Sequence, residues 1–187
     1  MDYEYYYYQA RNKYYNACSE ISSCENRIND LKSQKQKKIN QINQLKTDLK
    51  NNQSAFDSVT QIIKSDESLN SKFSSITSKT SDAAVNFTGM VRSSNVTSKN
   101  LTTVYSDEST KTKNALKGIF DSLRTRKNAL NSKITDLQNQ IRRAESELAD
   151  IENGIKTTQS NLQYWQTTKK NASYDMEYYR RKMNEAV

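Results

Sequence analysis

The sequence predicts an all-α chain, a long antiparallel helical hairpin of coiled-coil type. It would have about two long helices and a Ser/Thr-rich, partly helical connection. Three observations carry this. Two stretches hold an apolar repeat of seven residues over many turns. Proline is absent and only three glycines occur in 187 residues. With 34% apolar and 27% charged residues, the chain suits helices that each bury one stripe, not a thick core.

The clearer stretch is 116–186. One series runs Leu116, Leu123, Leu130, Leu137, Ala144, Ile151, Thr158, Trp165, Ala172 and Tyr179. The other runs Phe120, Lys127, Ile134, Ile141, Leu148, Ile155, Leu162, Lys169, Met176 and Met183. They interleave at spacings of four and three, which places both on one helix face. Such a seam needs a partner surface. Residues 3–66 supply one, with Tyr7, Tyr14, Ile21, Ile28, Lys35, Ile42, Leu49, Phe56 and Ile63 against Ala10, Ala17, Cys24, Leu31, Lys38, Leu45, Asn52, Val59 and Asp66. Polar residues within a seam fix register at some cost in stability.

Residues 67–115 are richer in Ser, Thr and Asn, with weaker helix propensity. The segment 86–95 holds Phe87 and Gly89 and gives the best break. The expected organisation is a single elongated helical domain over 1–187. It comprises a helix over 3–84, a turn around 86–95 with Phe87 and Gly89 as its motif, and a helix over 98–186.

Antiparallel pairing can be tested for register. One choice sets Phe73 beside Phe120, Leu45 beside Leu148, Leu31 beside Leu162 and Ile28 beside Trp165. It also sets Asp66 beside Lys127, so that two awkward charges answer each other. A shift of one heptad sets Asp66 against Phe120 or Ile134, a poorer environment for a carboxylate. Flanking charge agrees with this register. Lys32, Lys35, Lys37, Lys38, Lys46 and Lys50 would face Glu145, Glu147, Asp150 and Glu152.

Eleven of the twelve tyrosines lie near the two ends, at 3–15 and 164–179, and the lone Trp165 joins the second group. A hairpin brings both groups to one end. Tyr5, Tyr6, Tyr7 and Tyr8 point all round a helix axis, so two helices cannot bury all of them. The expected split puts Tyr7, Tyr14, Trp165 and Tyr179 between the helices. Tyr5, Tyr6, Tyr8, Tyr15, Tyr164, Tyr174 and Tyr178 would face away and form a partner-binding set. Tyrosine suits interfaces because it joins apolar area to a polar tip. The competing reading is an aromatic cap of the bundle.

Other chemistry is thin. There is no histidine, so general-base work by His is excluded. No metal cluster, glycine-rich phosphate loop or apolar carboxylate pair stands out, so no catalytic residue, metal, cofactor or small-molecule substrate is expected. Cys18 and Cys24 sit ~9 Å apart along a helix, too far to pair within it. No apolar run suits a membrane span or an export leader, so a cytoplasmic location is expected. The net charge of +8 invites nucleic acid, but the acidic flank answers part of it, so that partner is not expected.

The opening 1-MDYEYYYYQARNKYY-15, a heptad helix, a central Phe87-Thr88-Gly89 and a second helix resemble the YwqH-like proteins of Firmicutes. These small helical proteins are encoded near LXG toxins and belong to the wider Trp-x-Gly helical-hairpin group of type VII secretion. Phe87 stands where that group has Trp. No Tyr or Phe here is followed four residues later by Asp or Glu, the group's usual export signal. The resemblance implies a non-enzymatic targeting or chaperone partner. It would bind the helical N-terminal LXG domain of a toxin, with other small helical proteins as further partners. It would stay in the cytoplasm or leave with its partner by a signal-peptide-independent route. The alternative is a self-assembling coiled-coil scaffold.

Overall fold

The computed structural model describes residues 2–90 and 95–185. The chain is all-α. Helix α1 spans Tyr3–Met90 and α2 spans Asn95–Glu185, packed antiparallel against each other, with no strand among the described residues. None of the described helices is long and apolar enough to cross a membrane.

The start of α1 follows from its sequence. The backbone N–H of Tyr5 donates to the Asp2 side chain at 3.0 Å, a capping bond that satisfies one of the free amides of the first turn. Glu4 adds negative charge where the helix dipole favours it.

The middle of the chain differs from expectation. Helix α1 does not stop near residue 84 but runs on to Met90, so Phe87 and Gly89 lie within its last turns. Glycine inside a helix costs only about 1 kcal/mol relative to Ala. No glycine among the described residues takes the left-handed conformation that would mark a helix cap. Helix α2 begins at Asn95, earlier than the expected 98, and ends at Glu185. Residues 91–94, the rest of the expected turn, and residue 186 lie outside the described residues.

The contacts divide the chain into two units. Unit 1 comprises Met1–Lys46 with Gln140–Val187, and unit 2 comprises Thr47–Asn139. In unit 1 both apolar series face the other helix. Ala10, Ala17, Cys24, Ile28, Ile42, Ile141, Ala144, Thr158 and Ala172 are buried, and the remaining seam residues there are half-buried. Ala17 is 0% exposed, so it marks close approach of the two backbones. A larger side chain there would overpack, at about 1–3 kcal/mol. Trp165 is half-buried, not fully enclosed, because two helices cannot surround an indole. Cys18 is half-buried and Cys24 buried, both as free thiols.

Register in unit 1 corrects the sequence-based choice by one heptad. Lys35 pairs with Glu152 at 2.8 Å, Lys38 pairs with Glu147, and Lys46 pairs with Glu145 at 2.8 Å. A Cβ on Gly154 would lie 3.6 Å from a Leu31 methyl. Leu31 therefore shares a layer with Ile155 instead of Leu162, and Leu45 with Ile141 instead of Leu148. The basic and acidic flanks do meet, in the shifted frame.

Unit 2 is shifted in the same sense. Thr77 Oγ1 and Ser109 Oγ lie 3.5 Å apart, and the Lys127 ammonium lies 5.3 Å from the Phe56 ring centre. Asp66 thus falls in the layer of Phe120, the arrangement that sequence reasoning disfavoured. It is buried there because Arg124, one turn on from Phe120, reaches its carboxylate at 3.0 Å. The carboxylate has a donor without needing Lys127 opposite it.

Candidate partner-binding surface

The tyrosines are set by two short local rules. Residues of the seam series turn inward, and their neighbours in sequence, ~100° further round the helix, turn out. Tyr7, Tyr14, Trp165 and Tyr179 are half-buried, as expected. Tyr5, Tyr6, Tyr8, Tyr15, Tyr164, Tyr174 and Tyr178 are all exposed, from 42% for Tyr6 to 62% for Tyr164.

The structure brings the two groups together in unit 1. Tyr6 of α1 stacks on Tyr179 of α2, with ring centres 5.5 Å apart and planes 23° apart. Tyr178 meets the same ring edge-on at 5.2 Å. Tyr5 packs edge-on against Tyr6. Tyr164 does the same against Trp165. Each exposed ring here is steadied by a neighbour, which lowers the entropy lost when a partner immobilises it. Tyr6 therefore has a second role that sequence reasoning did not give it, bridging the two helices.

Cations border the rings. The Lys169 ammonium lies 5.5 Å from the Tyr14 ring centre, the Arg11 guanidinium 5.7 Å from Tyr15, and the Lys170 ammonium 5.8 Å from Tyr174. These cations were not anticipated. The signal was present, since Arg11–Tyr15 and Lys170–Tyr174 stand four residues apart, the spacing at which helix side chains meet. Tyr14, Ile21, Lys169, Ser173 and Tyr174 line an open groove along one flank, and Tyr7, Met176 and Arg180 line a second groove beside it.

Electrostatic shifts are local. The hydrogen bond that the Lys182 ammonium donates to Glu185, and the charge of that carboxylate, hold Lys182 above its usual range. The Lys35 ammonium hydrogen-bonds Glu152 and holds that carboxyl below the usual carboxylate range. Among the described residues no three His, Cys, Asp or Glu side chains gather as metal ligands would. The surface is thus an aromatic one with a basic border, suited to covering apolar area. Comparison with family models, curated proteins and solved structures gives no match to this chain.

Proposed function

We propose that this chain is a non-enzymatic targeting or chaperone partner that binds a helical segment of another protein through the aromatic end of unit 1. The segment is the helical N-terminal LXG domain of a type VII secreted toxin. The observation that carries the binding role is the set of seven exposed tyrosines gathered from both helices at one end. That much aromatic area is costly to leave in water, and it gains most from a partner that covers it. The grooves between α1 and α2 suit a third helix, whose apolar face would meet Tyr7, Tyr14, Ile21 and Met176. Arg11, Lys169, Lys170 and Arg180 would attract acidic residues flanking that face. The identity of the partner rests on the YwqH-like resemblance of the opening residues. On this reading the protein covers the toxin's helical domain in the cytoplasm and accompanies it to the secretion machinery.

The test is co-purification with a helical LXG domain, the proposed partner. A stable complex that survives raised ionic strength is expected, because an aromatic interface is little affected by salt. No complex, or one that dissolves steeply with salt as phosphate binding does, would contradict the reading.

A further inference from the structure

One column of apolar side chains in unit 2 is left exposed to solvent by the hairpin. The residues just before the first-series seam positions of α1 there are Ala55, Ile62, Leu69, Ile76 and Ala83. All are exposed: Ile62 by 48%, Leu69 by 47% and Ile76 by 60%. On α2, Ile119 holds the matching position before Phe120 and is 56% exposed. In an antiparallel pair these positions share one flank. A seam of two positions per heptad suits a two-helix contact. A third apolar column beside it is the pattern of a helix in a larger bundle. Unit 2 carries that pattern with two helices only.

What completes the bundle can be read from symmetry. The α1 column reads the same in both directions about Leu69: Ala, Ile, Leu, Ile, Ala. A two-fold axis at that level sets Ile62 against Ile76 of a second copy, Ala55 against Ala83, and Leu69 against itself. The Thr77–Ser109 contact places Leu69 level with residue 117 of α2. The same axis then sets Ile119 against Ala115 of the second copy, Thr112 against Ser122, and Glu108 against Arg126. Bulky meets small, hydroxyl meets hydroxyl, and acid meets base. Lys72 and Lys79 come beside Ser65 and Ser58, so no like charges oppose. A two-fold contact demands this kind of self-complementarity.

The size agrees. Ala55 to Ala83 spans ~42 Å of helix, and two helices ~10 Å wide give a footprint of roughly 800 Å² per copy, the area of a standard stable interface.

We propose that unit 2 forms an antiparallel homodimer through this flank, two copies making a four-helix bundle centred on Leu69. The contact closes on itself, so it yields a dimer and not a filament. It does not depend on the partner proposed for the tyrosines.

Sedimentation of the full chain over a concentration series tests this. A reversible monomer–dimer equilibrium is expected. Leu69→Glu should weaken it at least ~10-fold, about 1.4 kcal/mol, with helix content unchanged, because Leu69 is exposed. Glu108→Arg should also weaken it, and adding Arg126→Glu should restore it. In a Cys18→Ser, Cys24→Ala background, Ile62→Cys mixed with Ile76→Cys should form a disulfide-linked dimer, and neither should link to itself. A chain monomeric at every concentration would overturn the proposal, including the case where another protein occupies the flank. So would a dimer indifferent to Leu69→Glu, failure of the charge swap to restore it, or self-linking by Ile62→Cys, which would mean parallel copies.

Discussion

The Arg124 guanidinium donates to the Asp66 carboxylate at 3.0 Å, and the Asp66 side chain is 10% exposed against 52% for Arg124. One end of this pair is held among seam residues and the other is in water. The pair allows a charge in the Phe120 layer and so fixes which layer faces which in unit 2. Arg124→Ala should cost about 1–3 kcal/mol, at the low end because solvent reaches Arg124, since it strips a nearly buried carboxylate of a donor. Asp66→Leu should leave the melting temperature unchanged or raise it. Thermal melts of both variants check this. Equal destabilisation by the two would contradict it.

Register in unit 1 can be read by crosslinking. In a background lacking Cys18 and Cys24, Leu31→Cys should form a disulfide with Ile155→Cys within one chain. It should not do so with Leu162→Cys, which lies a heptad further along, ~10 Å away. Efficient linking to position 162 instead would restore the frame first expected from the sequence.

The Lys35–Glu152 pair gives a pH test. Glu152 titrates below its ordinary value in the folded chain, first through the hydrogen bond from Lys35 and then through its charge. A carboxyl with a depressed folded value contributes stability that is complete above its unfolded value and lost as pH falls through the folded one. Lys35→Ala should therefore move the Glu152 midpoint upward in a carboxyl-resolved NMR titration. A midpoint that stays in place would mean that Lys35 does not hold Glu152 in solution.

Much of this architecture was legible in the sequence, and particular residues show where legibility stopped. The seam series of Leu116 and Phe120 turned inward as expected, because a seven-residue repeat and a helix of 3.6 residues per turn leave one face to bury. The exposure of Tyr5, Tyr6 and Tyr8 followed from four consecutive rings on one helix, and that of Tyr15, Tyr164, Tyr174 and Tyr178 from positions off the seam. Register did not follow, because seam layers and flanking charge suit frames one heptad apart almost equally. Arg124 stands outside the seam, yet its long side chain reaches Asp66 and removes the penalty that seemed to forbid that frame. The sequence suggests a break at Gly89, but α1 runs through it to Met90, because a glycine within a helix only weakens it. The column of Ile62, Leu69 and Ile76 was hidden because its residues sit beside the stronger seam and read as scattered.

The central claim, that the exposed tyrosines form a partner surface, is tested most directly by Tyr8→Ala, Tyr15→Ala and Tyr174→Ala together. Tyr6 is left intact because its stacking on Tyr179 ties the helices together. Calorimetric titration of a helical LXG domain, the proposed partner, into the parent and the triple variant should show binding weakened by at least ~1–2 kcal/mol. The melting temperature should barely move, since exposed substitutions usually cost under ~0.5 kcal/mol each. Equal affinity for parent and variant, with both folded, would contradict the claim and reduce the tyrosines to a cap on the hairpin.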